Sequence, residues 1–205
     1  MPSLIDPIFP PLIRALPVAS HAITVDAVFW QPKFAAAGQS KLWSTIFGTA
    51  ASIRLSRSRL QNFAYPTGEQ KCAEILLWGY PNDKRGLASR LLKHLPSLSK
   101  HASSTDPWPR YFDEFPKGAG ISTITKLAYF YHRKFDGYNA LILDWRLIEN
   151  TANWKEVALP KLKYNNAEDH YIEYLRVMHS AAANPALKCS PEQLEFFLFE
   201  LGDSY

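Results

Sequence analysis

The chain has 205 residues, of which 47% are hydrophobic, 14% aromatic and 20% charged, enough apolar mass for one folded domain and too much for a disordered one. Its net charge of +4 permits a nucleic-acid partner without demanding one. Cys72 and Cys189 stand in no CxxC pattern and read as reduced thiols, and no stretch approaches the ~18 apolar residues of a membrane span.

Prolines break the opening MPSLIDPIFPPLIRAL, where a secretory leader would need an unbroken apolar run, so the expectation is a soluble, cytoplasmic protein. Those prolines also predict an extended arm over residues 1–22, followed by one helical domain over 23–205. Val25 to Trp30 reads equally as a strand or a first helical turn, and Gln31-Pro32 resets the chain. Thr67 and Gln70 fit a capping box opening a helix that Gly79-Tyr80-Pro81 stops. Asp83 can cap the next helix, whose Leu87, Leu91, Leu92 and Leu95 make one face before Pro96. A short helix over Arg110 to Phe115 leads into the turn Pro116-Lys117-Gly118-Ala119-Gly120, and a mainly apolar helix follows from about Ser122 to His132.

That helix carries one lysine, Lys126, in its middle. After a break at Phe135 to Tyr138, the apolar run Ala140 to Leu143 ends on a lone carboxylate, Asp144, at the start of a helix running to Ala152. Ala167 to Ala182 reads as helix, and Ser190, Pro191 and Gln193 give the last helix the strongest start signal in the chain.

One amine inside an apolar helix, one carboxylate eighteen residues later and a Gly-x-Gly turn upstream resemble the helix-hairpin-helix DNA glycosylase superfamily, in particular its bacterial 8-oxoguanine DNA glycosylase-like branch. The segments Glu74 to Pro81 with Arg85-Gly86, and Ser190 to Phe199, are similar to the same branch. The resemblance implies an all-α domain with a helix-hairpin-helix motif, in which Lys117, Gly118 and Gly120 hold DNA phosphate and Lys126 is the nucleophile. It further implies that Asp144 stabilises charge on the sugar. Lys126 stands six residues after Gly120, whereas in the family's well-studied members the lysine follows the hairpin more closely.

The chemistry suits these residue types. A glycosylase must flip a base out of the duplex to reach the sugar carbon behind it. A lysine attacks only as the free amine, which an apolar surround favours. A carboxylate beside it can hold oxocarbenium-like charge. Free amides at the start of a helix form an anion site. Arg85 is the foremost DNA-contact candidate among three basic clusters (Arg54, Arg57, Arg59; Lys84, Arg85, Arg90; Lys161, Lys163), and Trp78, Glu195 and Phe196 are candidates for a base pocket. The histidines show no ligand spacing, so neither a catalytic metal nor a cofactor is expected.

Other readings stay open. Lys126 can be a lysine whose stem packs on the core while its head reaches solvent, or half of a structural ion pair with Asp144. Asp144 can be an ordinary helix cap. At the level of the whole chain, the leading expectation is a monomeric DNA glycosylase with lyase activity acting on double-stranded DNA, with 8-oxoguanine the first substrate. The rival is a non-catalytic helix-hairpin-helix protein that binds DNA or a partner in a repair or phage-defence assembly.

Overall fold

In the computed structural model, which describes residues 1–202, the sequence of elements begins with a helix where an extended arm was expected. Helix α1 spans Phe9–Ala15. Its prolines fall in the first turn, where backbone amides have no intrahelical partner to lose, so they start the helix rather than forbid it. The segment is tied down: Leu4 N donates to Glu156 Oε2 (2.7 Å), Arg14 Nη1 to the Leu187 carbonyl (2.8 Å), and Leu4 and Ile13 are fully buried.

The fold is mostly helical rather than all-α, because two small antiparallel ribbons interrupt the helices. Strand β1 (Ala22–Asp26) leads directly into α2 (Ala27–Ala36), with Asp26 accepting from Phe29 N at 2.7 Å as its cap. Val25 to Trp30 is therefore both strand end and helix start. After α3 (Ser40–Phe47), β2 (Ser52–Ser56) pairs with β1 so that Val25 faces Ile53 and Ile23 faces Leu55, an alternation that β-branched residues favour.

Helix α4 (Arg57–Asn62) follows without a loop, and α5 (Gly68–Gly79) is buried continuously from Cys72 to Trp78. Thr67 caps α5 through Gln70 N, but the Gln70 amide reaches Glu74 instead of returning, so the capping box is half formed. The leucine row passes from α6 (Leu87–Leu91) through a 3-10 turn into α7 (Leu95–Ala102), with Pro96 in the first turn of α7 instead of ending the row.

Next come α8 (Arg110–Asp113), α9 (Ile121–Phe130), and the two-residue strands β3 (Lys134–Phe135) and β4 (Tyr138–Asn139). The chain closes with α10 (Trp145–Thr151), α11 (Tyr171–Ala182) and α12 (Pro191–Leu201). Ser190 and Gln193 complete the capping box of α12 in both directions, at 3.1 and 2.9 Å.

Helix α5 packs against α7 and α9, and α12 packs against α10, α11 and α1. The buried residues Ala140–Leu143 run close to both groups: Thr125 of α9 bonds Leu143, and Glu195 of α12 bonds Ile142. Among the described residues no helix is long and apolar enough to cross a membrane.

Candidate active site

The turn between α8 and α9 is closed by Ala119 N donating to the Pro116 carbonyl at 3.0 Å. Gly118 sits at φ +99°, a region that excludes most side chains, although a Cβ there would meet nothing within 4 Å; its backbone angle, not space, calls for glycine. Gly120 is the N-cap of α9 and no side chain caps the helix. Thr123 N donates back to the Gly120 carbonyl, and the amides of Ile121 and Ser122 are left to an outside acceptor, beside the exposed Lys117. Tyr164, 60% exposed, lies against Gly120, which brings the segment carrying Lys161 and Lys163 to the same rim.

Lys126 does not reach for solvent. It is 7% exposed, and Nζ turns back along α9 to donate to Ser122 Oγ at 2.5 Å and to the Ser122 carbonyl at 3.3 Å. Its stem runs past the end of α5, where a Cβ on Gly79 would lie 2.9 Å from Lys126 Cδ. The Tyr80 ring sits 5.4 Å from Nζ and is itself fixed by a 2.7 Å bond to Thr123 Oγ1. The glycine, aromatic and proline of the Gly79-Tyr80-Pro81 turn thereby acquire a physical role: they end α5 and leave room for the lysine.

Asp144 is the N-cap of α10. Oδ1 accepts from Arg146 N (3.1 Å) and Leu147 N (3.2 Å), and Oδ2 has no hydrogen-bond partner among the described residues. One residue before it, Leu143 N donates to Thr125 Oγ1 at 3.0 Å, and Thr125 donates to the Ile121 carbonyl at 2.8 Å. Thr125 thus clamps α9 to the strand-like run, and Lys126 and Asp144 are the next residues on either side of that clamp. No ion pair joins the two among the described residues, which sets aside the structural-pair reading.

Trp78, Glu195 and Phe196 do come together, around a residue that pattern reading assigned elsewhere. Arg57 is 2% exposed instead of facing solvent, and its Nη2 donates to Glu195 Oε1 at 2.9 Å. The guanidinium carbon lies 5.5 Å from the Trp78 ring, 5.4 Å from Tyr129 and 5.3 Å from Phe196. Glu195 Oε2 accepts from Ile142 N at 3.2 Å. Burial lifts the Glu195 carboxyl above the usual carboxylate range, while Arg57 and the Ile142 amide oppose that lift. Burial also works against the Arg57 cation, but Glu195 and the Tyr129 phenol outweigh it. Arginine keeps its proton, so the Glu195 carboxyl lies against a fixed cation. His21 completes the group, its ring 4.7 Å from Phe196 and 5.5 Å from Trp78; burial, then the Arg57 charge, lowers its pKa to about 4.

The basic clusters fare unevenly. Arg59 pairs with the fully buried Glu74, leaving Arg54 as the exposed member of its trio. Lys84, Arg85 and Arg90 are all exposed, just beyond the Gly79-Tyr80-Pro81 turn. Sequence reasoning missed Ser122, Thr125 and His21, and read Arg57 as a DNA contact where the structure buries it on Glu195. A signal existed for Arg57: a cation in the first turn of α4 opposes the helix dipole, which hints at another partner. Ser122 stands four residues before Lys126 on one helical face and was equally legible.

Residues 16–199 match the model of the family described as "Putative 8-oxoguanine DNA glycosylase OGG-like protein". No curated protein and no solved structure matches the chain.

Proposed function

The chain belongs to this OGG-like DNA glycosylase family, and on that premise we propose that it excises a damaged base, with 8-oxoguanine the first candidate, and nicks the strand by an associated lyase step. The observation that carries the reading is the placement of Lys126 and Asp144 on either side of the Thr125–Leu143 clamp. The lysine is buried against Ser122 with no carboxylate neutralising it, and the aspartate keeps one oxygen free. A structural lysine of this depth would ordinarily be paired.

On this reading α8, the turn and α9 form the helix-hairpin-helix, and the amides of Gly118, Gly120 and Ile121 with Lys117 hold a phosphate of double-stranded DNA. Arg85 holds a phosphate beyond the Gly79-Tyr80-Pro81 turn. The Lys126 amine attacks C1′ of the flipped nucleotide. The new N–C1′ bond forms as the glycosidic bond breaks, and its electron pair leaves with the base, which takes up a proton. Asp144 Oδ2 stabilises the positive charge that builds on the sugar and accepts the proton shed by the amine. Opening of the sugar ring gives a Schiff base on Lys126, and loss of the C2′ proton expels the 3′ phosphate.

Borohydride trapping tests this. The protein is incubated with duplex DNA carrying 8-oxoguanine or an abasic site, and wild type is compared with Lys126→Gln. A covalent adduct in wild type that disappears in the variant is the expected result. An adduct that survives moves the nucleophile to another amine. Tight duplex binding with no adduct on either DNA makes the chain a non-catalytic binding protein, the reading that the six-residue interval from Gly120 to Lys126 would then explain.

A further inference from the structure

Seven buried side-chain nitrogen or oxygen atoms among the described residues have no hydrogen-bond partner, and four of them belong to one group: His21 Nδ1, Arg57 Nε, Arg57 Nη1 and Trp78 Nε1. Leaving a buried polar atom unpaired costs about 1–3 kcal/mol, so a concentration of this kind calls for an occupant. The tyrosine nearest the guanidinium, Tyr129, lies against it without forming a well-directed bond to either atom.

The chemistry of the group is one-sided. Arg57 Nε, Arg57 Nη1 and Trp78 Nε1 are all N–H donors, while the carboxylate paired with Arg57, Glu195, already has both oxygens engaged by Arg57 Nη2 and Ile142 N. The walls are flat rings: Trp78 and Phe196 both face the guanidinium, and His21 lies tilted on Phe196. A planar ligand that turns oxygen or ring-nitrogen acceptors toward these donors matches such a lining, and one that turns an amino group toward them would oppose donor to donor.

The group also adjoins the proposed reaction centre. Tyr129 is one turn after Lys126 on α9, Trp78 precedes the Gly79 that abuts the Lys126 stem, and Glu195 holds the Ile142 amide two residues before Asp144. The side chain of His21, 17% exposed, is the member of the group that reaches solvent most, since Arg57, Trp78, Glu195 and Phe196 are all buried.

We propose that His21, Arg57, Trp78 and Phe196 form the recognition pocket for the extruded base, and that the three unpartnered donors select an edge presenting carbonyl oxygens. The assignment rests on the glycosylase reading given above. The base enters past His21, stacks on the aromatic walls and takes the N–H groups of Arg57 and Trp78. Adenine, whose corresponding edge carries an amino group, is disfavoured. Arg57 is the specificity-determining residue, held in place by Glu195.

Equilibrium binding tests it without any bond being cleaved. Three duplexes differ only at the target nucleotide: 8-oxoguanine or adenine, each on a sugar fluorinated at C2′ so that the glycosidic bond resists cleavage, or a tetrahydrofuran abasic analogue. Trp78→Phe removes one donor while keeping an aromatic ring against His21 and Phe130, and His21→Phe serves as a second variant.

The expected result is that wild type prefers the 8-oxoguanine duplex to the adenine duplex, that Trp78→Phe weakens the former by about tenfold, and that the abasic duplex is bound unchanged. Equal binding of all three duplexes by wild type, or a Trp78→Phe variant indistinguishable from wild type, overturns the pocket and leaves a trapped water only. An equal drop on all three duplexes also overturns it, since the tryptophan then supports the fold and not the base. A failed borohydride trap with the preference intact removes the lyase chemistry and keeps the pocket; a successful trap with no preference does the reverse.

Discussion

Acidification should destabilise this protein through His21 by an amount that the geometry sets. The imidazole is wedged between Phe196 at 4.7 Å and Trp78 at 5.5 Å, with the Arg57 cation behind them. Burial first and Arg57 second lower its pKa from 6.5 to about 4. The folded state therefore binds fewer protons than the unfolded chain across that interval, so the stability is complete above pH 6.5 and is lost as pH falls through about 4.

At about 1.4 kcal/mol per pH unit the full interval is worth roughly 3 kcal/mol, and the partial exposure of the ring reduces this to about 2. Glu200 offers little compensation: its carboxylate is 3.9 Å from Nε2 and 40% exposed. The assay is urea unfolding followed by tryptophan fluorescence near pH 7.5 and near pH 4.5. All other titrations are common to wild type and His21→Phe, so the variant should lose about 2 kcal/mol less between the two conditions. Parallel losses in the two proteins would refute the argument, because they would mean that His21 takes up its proton freely in the folded state.

Two further outcomes follow from the same geometry. Glu195→Ala strands the buried Arg57 cation and deprives Ile142 N of its acceptor, and should cost about 3–5 kcal/mol in denaturant unfolding; Glu195→Gln, which keeps an acceptor oxygen, should cost less. Arg85→Ser and Lys117→Ser, both at exposed positions, should leave stability alone and each lower the slope of log affinity against log salt for duplex DNA by about 1, whatever the sequence. An unchanged slope would take that residue off the phosphate path.

Features confined to one or two helical turns could be read from the residues alone. The capping box at Ser190, the Asp144 cap, the helix around Lys126 and the glycine turn before it each depend on partners three or four residues away, and the chain carries those spacings openly. Even the first-turn prolines of α1 were local information, misjudged because proline was weighed as a breaker and not as a starter.

Pairings between remote segments had no comparable trace. β1 and β2 meet across two intervening helices, Thr125 finds Leu143 eighteen residues on, and Arg57 finds Glu195 at a separation of 138. Alternation in β1 and β2 hints at strands but names no partner, and an arginine reads as a surface charge until a carboxylate from another helix is packed against it. The sequence determined that one amine would stand in the middle of an apolar helix and one carboxylate at the head of the next. Only the tertiary structure decided that Lys126 would be buried against Ser122 with no ion pair, and that His21, Arg57 and Trp78 would close around a cluster of unanswered donors, because burial and desolvation are set by what the rest of the chain lays over a residue.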